Sequence, residues 1–462
     1  MNHEATFSEF IKDLSIQLEN TGLTEGLLSI CLNLPTIDLI DTYNYFFEKY
    51  SFSSFWEENE ALSYIALDKC RYCFFNDLNK FDQARDFTNK IFNEMIFFNN
   101  QDDVASLSKV IYFFSFDNTP IEILKANEVP RMEAILPKFL IIKKSEKFWL
   151  RVNYQLYNSS KTEDLIKEIC RIRNQIIDIQ KSIKIKRKFD KSQIRRFNLL
   201  LEKSNEDIRE SIVKGLNIID KGDIQKIVLC KRLDFKINQA LDLNLILKNF
   251  RSNLSNSCSY VWKRNNDDIT FGASPEKLFS LSENILTLEA IAGTAPSEID
   301  NKFLLNSYKD KIEHDFVINY LIQSLKLLNM NEYTQGPLEV VSFGPISHLC
   351  TKIKSIFDEC CPFDLLQILH PTPAVCGLPK NEALDFIDHL ESFSRDNYAA
   401  PIGWVDSNGN SDFRVAIRGA RYIEEKLQFT AGSGLVKGSK VDFELQEINL
   451  KIRALAMQVF PR

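Results

Sequence analysis

Apolar and polar positions divide the chain into stretches of different period. Phe7, Phe10, Ile11, Leu14, Ile16 and Leu18 form a rough helical stripe, so residues 1 to about 50 read as helices. From Phe52 to about Leu156 the apolar runs are short and separated by polar turns, which predicts antiparallel strands. The clearest is a hairpin: residues 137–144, a turn at Ser145-Glu-Lys147, then residues 148–154. Lys161 to about Ile219 is helical and charged. Within it the strongly basic run 181–196, with Asp190 its one acid, reads first as a solvated helix–loop–helix connector rather than a nucleic-acid or membrane contact.

Beyond this connector the strand signals sharpen. In Ile224-Gln-Lys-Ile-Val-Leu-Cys230, alternation puts Lys226, Val228 and Cys230 on one face and Ile227 and Leu229 on the other. A strand apolar on both sides is buried, so Lys226 would face inward, which is costly unless the lysine is neutral or paired. The alternative is a lysine at the strand's start reaching water. Tyr260-Val-Trp-Lys, Ile269 to Glu276 and Leu286 to Thr294 continue as a strand meander, and a helix follows over 306–328. His370-Pro-Thr-Pro-Ala-Val-Cys-Gly377 reads as a rigid buried loop. Residues 397–404 lead into a hairpin whose second strand, 413–420, would place Arg414, Ala416, Arg418 and Ala420 on one face.

Composition narrows the classes. A formal charge of -6 argues against nucleic acid as the main partner. No apolar run reaches the roughly 18 residues of a membrane span, and Met1-Asn-His-Glu lacks the features of a signal peptide. Ten cysteines without a framework suggest reduced thiols and a cytoplasmic protein. Cys70-Arg-Tyr-Cys73 has CxxC spacing but no second pair, and sits in a strand-like run from Ser63 to Phe75.

The candidate chemistry gathers near the C-terminal end. In a helix over 442–451, Glu444, Glu447 and Lys451 share one face. Two carboxylates suit Mg2+, and the ammonium one turn on suits an anion; intrahelical Glu–Lys pairs on a solvated face are the plain alternative. The stretch 431–440, read as a glycine-rich loop, looks like a place where a ligand touches backbone. Glu276 follows Ser274-Pro275 at a tight turn past a strand end, and Gly293-Thr294 offers open backbone and a hydroxyl. Asp310, Glu313 and His314 lie at neighbouring positions of the 306–328 helix. Arg418, between alanines in a central strand, is best paired with an anion.

Gly-Ala-Ser-Pro-Glu, Ala-Gly-Thr, Lys-Asp-x-x-Glu-His, His-Pro-Thr-Pro-Ala, the Ile-Arg strand and Gly-x-Gly…Glu-x-x-Glu-x-x-x-Lys occur in the order of the chorismate-utilising enzymes. The chain resembles that family from about Gly222 to Ala456. The resemblance implies an α+β fold, a large antiparallel β-sandwich flanked by helices. Residues 1–200 would be an N-terminal elaboration packed on a catalytic core at 201–462. It implies Mg2+ held by Glu313 and Glu447, with Glu444 acting through metal-bound water, and Lys451 helping to hold the ring carboxylate. Tyr398 and Arg418 would grip the enolpyruvyl carboxylate of chorismate, His348 would face the ring, and Gly293, Thr294, Gly432 and Gly434 would approach the substrate.

Lys226 matches the base that activates water in isochorismate and salicylate synthases, and Glu276 the acid that protonates the departing C4 hydroxyl. Ala292 stands where the aminodeoxychorismate type has its lysine nucleophile. Isochorismate synthase of the menaquinone/phylloquinone type is therefore the expectation. Salicylate synthase and a siderophore-pathway isochorismate synthase are the alternatives, with Ala295 where salicylate synthases often have arginine. Ala400 and Ile312 depart from relatives at non-catalytic positions. No glutaminase subunit, nucleic acid or membrane partner is expected, and the protein would be a monomer.

Overall fold

The computed structural model describes residues 3–98, 103–116, 129–157, 162–179, 192–237, 240–357 and 360–460. Its strands join into one hydrogen-bonded network that branches at the long strand Met132–Lys144. One edge of this strand pairs with Ser63–Phe75; the other pairs with Lys109–Phe114 along its first residues and with Lys147–Leu156 along its last. Two sheets diverge from it. The first runs through Ser53–Glu57, Cys258–Asn265, Asp268–Ser274, Gly419–Ile423 and Lys426–Val436 to Lys226–Lys236. The second runs from Lys109–Phe114 through Pro401–Asp406, Ser411–Val415, Lys277–Ser282 and Ile285–Pro296 to Ile346–Ile356. All these pairings are antiparallel; Gly26–Leu34 with Met95–Phe98 is parallel.

The two sheets pack face to face. Phe113 of one meets Trp262 of the other edge-on at 5.7 Å, and the Trp262 indole N–H donates to Glu133 at 3.1 Å. Trp56, Tyr64, Ile111, Ile135, Trp149, Tyr260 and Ile402 fill the same interior. Helices close the outer faces, because each carries an apolar stripe at three- and four-residue spacing. In Val441–Val459 the stripe is Leu445, Ile448, Ile452, Leu455, Ala456 and Val459, all buried. Fold and class are thus α+β: an antiparallel sandwich flanked by helices.

Some local expectations are corrected. The first 50 residues are not all helical, since the continuous apolar run Gly26–Leu34 is a strand between helices His3–Thr21 and Leu39–Phe47. A helix, Lys80–Glu94, interrupts the first strand region. The basic run falls largely at 180–191, outside the described residues; the helix Ser192–Lys203 follows it. The glycine-rich stretch is strand rather than loop as far as Val436, in register with Lys226–Lys236. Cys70 and Cys73 are free thiols on the strand Ser63–Phe75.

The most consequential correction concerns 413–420. It is not one strand: Ser411–Val415 belongs to the second sheet and Gly419–Ile423 to the first, so residues 416–418 cross between layers. Residues 275–276 make the reverse crossing, from Asp268–Ser274 to Lys277–Ser282. The crossings lie side by side and bond to each other: Ala273 N–H to Arg418 C=O at 3.1 Å, Val415 N–H to Glu276 C=O at 3.1 Å, and Ser274 hydroxyl to Val415 C=O at 2.6 Å. Their approach needs glycine. A Cβ on Gly419 would stand 2.5 Å from both the Phe271 carbonyl and the Tyr260 hydroxyl. Gly419→Ala should therefore cost about 1–3 kcal/mol by overpacking, read as a lowered urea midpoint with an unchanged slope; an unchanged midpoint would show that the strands can part without cost.

Candidate functional site

The two crossings bring Glu276 and Arg418 to one wall of a cleft of about 680 Å3, measured as the empty space including its open mouth. Of the thirteen residues singled out in the sequence, eleven line it: Glu276, Gly293, Thr294, Glu313, His348, Tyr398, Arg418, Gly432, Gly434, Glu447 and Lys451. Lys226 and Glu444 stand behind that surface, each touching a residue that does line it or its strand. Val228 and Cys230, on the same strand as Lys226, and Ala374 and Val375, from the loop after helix Pro362–Leu369, complete the apolar part of the wall.

Three carboxylates at one end are each paired with a lysine from a different position. Glu447 accepts from Lys451 at 2.6 Å, one helical turn on, and Lys451 also donates to the Gly432 carbonyl at 2.9 Å. Glu444 accepts from Lys309 at 2.7 Å and from the Ser433 hydroxyl at 2.6 Å. Glu313, on the Ser307-capped helix Tyr308–Leu327, lies 2.9 Å from the Nζ of Lys226, which is fully buried. Lys309 was present in a sequence motif but carried no expected role; its contact with Glu444 depends on two helices far apart in the chain, which no local pattern reveals.

Burial and charge set the ionisation of these groups. Burial would raise Glu447, but Lys451 and then Lys309 hold it below the usual carboxylate range. Glu444 is raised by burial and by the neighbouring Glu447 charge. Glu276 has no such close partner. Burial raises it from 4.5 to about 7, against the weaker pull of Lys226, Lys451, Thr372 and Arg418. The cleft therefore sets a carboxyl that titrates near neutrality, Glu276, against one held ionised, Glu447, which is the pattern that separates an acid from a charge-bearing group.

His348 is pushed down to about 3 by burial and by the charges of Arg418 and Lys451, so its imidazole is neutral. Its Nδ1 contacts the Gly293 carbonyl at 2.8 Å and its Nε2 the Arg418 Nη2 at 2.8 Å. Those partners assign the proton to Nδ1 and leave Nε2 to accept from the guanidinium. The strand Ile285–Pro296 bulges between Ala292 and Ala295. Gly293 has φ +71 there, and a Cβ would come within 2.8 Å of the Asp310 Cβ. Gly432 and Gly434 face Cys230 and Val228 in register, and those two spend their N–H groups on Glu391 and Cys376. The glycines are thus at non-hydrogen-bonded positions of that ladder, with their own N–H groups turned away from it. Burial lowers Arg418 as well, a cost that an arriving anion would offset.

The donor set of Glu313, Glu447 and Glu444 is all hard oxygen, suited to a cation such as Mg2+ that keeps several waters and takes one or two protein carboxylates. Among the described residues, no three His, Cys, Asp or Glu side chains already form a metal cage. A bare Cα at Gly434 makes room at this end, since a Cβ would lie 2.3 Å from Glu313 Oε1. Both oxygens of Glu444 are occupied, so Glu313 and Glu447 are the more available ligands.

Comparison with known proteins follows the same lines. The sequence profile of a family described as chorismate binding enzyme matches residues 12–459. The vibriobactin-specific isochorismate synthase of Vibrio cholerae is 28% identical over 266 residues, covering 56% of this chain and 67% of that protein. An isochorismate synthase of Bacillus subtilis is 31% identical over 264 residues, 55% of each chain. The chain thus spans between about half and two thirds of the length of these relatives. The solved structure of the menaquinone-specific isochorismate synthase from Escherichia coli superposes with a TM-score of 0.75 at 20% identity, over 98% of this chain and 99% of that one.

The raised pKa of Glu276 has a consequence for stability. A carboxyl raised in the folded state favours the proton, so folding loses stability as pH rises from 4.5 towards 7 and stays penalised above. The displacement from 4.5 to about 7 corresponds to about 3 kcal/mol. Glu276→Gln should unfold at higher urea than wild type at pH 8, with the gap closing towards pH 4.5. A gap that is constant with pH would mean that Glu276 is not held neutral.

Proposed function

Because the chain belongs to the chorismate-binding enzyme family, its homology extending over residues 12–459, we propose that it is an isochorismate synthase, adding water at C2 of chorismate with loss of the C4 hydroxyl. The observation that carries this reading is the conjunction of a carboxylic acid near neutrality, Glu276, with a wholly buried lysine, Lys226, at one cleft. Water addition needs a base and an acid, whereas Ala292 leaves the cleft without a lysine at the position of the aminodeoxychorismate type.

In this mechanism Arg418 and Tyr398 hold the enolpyruvyl carboxylate, and Lys451 and the Gly432–Gly434 backbone hold the ring end. Arg418 is aimed by neutral His348, which is itself fixed by the Gly293 carbonyl. Lys226, once it has released its own proton to solvent, takes a proton as the free amine from the water that forms the new C2–O bond. The ring double bond shifts, the C4–O bond breaks, and Glu276 supplies the proton that releases the hydroxyl as water. One water enters and one leaves, so the product is an isomer of the substrate. We propose Mg2+ as the cofactor, held by Glu313 and Glu447 with Glu444 behind them; when bound it would neutralise the ring carboxylate.

For the pathway we favour the menaquinone/phylloquinone branch over siderophore or salicylate formation. The support is the long N-terminal region, since the chain matches the menaquinone-specific fold over nearly its whole length. A cytoplasmic monomer without a glutaminase subunit accords with this chemistry, which uses water rather than ammonia. No helix among the described residues is long and apolar enough to cross a membrane.

Purified protein given chorismate and Mg2+ should form isochorismate to equilibrium without pyruvate, read by mass and ultraviolet spectrum. Pyruvate with salicylate would reassign it as a salicylate synthase. Lys226→Gln and Glu276→Gln should each lower turnover at least a hundredfold while remaining folded. In the wild type, the pH profile of kcat/KM should change slope near 7, where Glu276 loses its proton. A profile with no change of slope between about pH 6 and 8 would remove Glu276 from the acid role.

A further inference from the structure

Lys226 stands apart among the three lysines that face the cleft carboxylates. Lys451 has two acceptors in good geometry, the Glu447 carboxylate and the Gly432 carbonyl. Lys309 holds Glu444, whose other oxygen is taken by Ser433. Lys226 is fully buried, yet its Nζ makes no hydrogen bond of proper geometry; its neighbour is the Glu313 carboxylate, in an ion pair at 2.9 Å. It is also absent from the cleft surface, while Val228, Cys230 and Glu313 line it. The group that must meet a water at the substrate is thus stored behind a carboxylate.

We infer that Lys226 is a place-holder for the cation: it neutralises Glu313 in the ligand-free protein, and a divalent cation is taken up at Glu313 only in exchange for it. This rests on the proposed function for its consequence, because the exchange sends Lys226 away from Glu313 and makes it available at the cleft. The physical reason is charge balance in a poorly hydrated place. A buried carboxylate needs a counter-charge at all times, and two counter-charges on the one oxygen repel. The two side chains lie against the bare Cα of Gly434, where a Cβ would stand 2.3 Å from the Glu313 carboxylate and 3.0 Å from the Lys226 Cε, so only glycine there leaves the pair unobstructed on that side. Lys226 has few ties to give up. Moving Lys309 or Lys451 would instead break directed hydrogen bonds to Ser433-held Glu444 or to the Gly432 carbonyl.

The test is cation binding to the full chain without chorismate, by calorimetry with Mg2+ and by the spin signal of Mn2+. Lys226→Met should bind either cation about tenfold more tightly than wild type, the gain expected when a competing buried charge is removed. In a Glu313→Gln background the same substitution should change affinity by less than about twofold, since the shared oxygen is then gone. Lys226→Arg, which retains the charge and can grip Glu313 with a fork, should bind more weakly than wild type; it also serves if Lys226→Met does not fold. Unchanged affinity in Lys226→Met, or an equal gain in both backgrounds, would overturn the exchange, as would Lys226→Arg binding as tightly as wild type. The wild-type product assay decides the reaction separately. Isochorismate formed without any Lys226 effect on cation affinity would sink the exchange alone. No isochorismate, with that effect intact, would sink the reaction alone.

Discussion

The constraint on which the site depends is the mutual satisfaction of two buried chain crossings. A strand that leaves one sheet for another exposes several backbone N–H and C=O groups inside the protein, where they cannot be left unpaired. Here each crossing supplies the partners of the other. Ala273 bonds Arg418, Val415 bonds Glu276, and the Ser274 hydroxyl closes the gap at Val415. The price is close backbone approach, met by Gly272 and Gly419 against the Tyr260 hydroxyl. Neither crossing could be shifted by a residue without undoing the other. The acid and the carboxylate-binding arginine are therefore fixed relative to each other by main chain rather than by side-chain contact, and Arg418 sits at φ +53, a conformation its side chain alone would not choose.

Around this fixed pair the cleft separates similar groups by environment. Glu276, Glu444 and Glu447 are all buried carboxyls, and burial pushes each of them up. Lys451, directly bonded, keeps Glu447 ionised; Glu276 has lysines only at a distance and stays near neutrality. The same logic leaves His348 neutral between Arg418 and the Gly293 carbonyl, as an acceptor that orients a cation instead of adding a charge. Identity of residue type says little about role here; the nearest counter-charge says most.

That dependence explains what could be read in the sequence. The buried strand with inward Lys226, the helix bearing Glu313 and the helix bearing Glu444, Glu447 and Lys451 were legible, because each expresses a period of two or of three and four. Gly26–Leu34 was not: Leu27, Leu28, Ile30 and Leu32 fit a short buried helix as well as a strand buried on both faces. The break at 416–418 was hidden for a related reason. Phe413, Val415 and Ile417 keep the alternation going through residues that no longer pair as a strand, so the pattern ran on where the hydrogen bonding had changed sheets. Gly432 and Gly434 look like loop residues by composition, yet tertiary pairing with Cys230 and Val228 makes them strand. Lys309 escaped because its meaning lies in Glu444, 135 residues away.

The formal charges of the site bear on how it fills. Four cationic side chains, Lys226, Lys309, Arg418 and Lys451, face four carboxyl groups, Glu313, Glu444, Glu447 and the adjacent Asp310, so by formal charge the ligand-free cleft is close to balance. A substrate dianion alone would add two uncompensated negative charges in a place of weak screening. A dianion together with a divalent cation would leave it as it was. The cleft is thus balanced for the pair and not for either member, which predicts that each would bind more tightly in the presence of the other. The ion pairs of the three lysines are what make that balance possible: they hold the carboxyl groups in place before either ligand arrives.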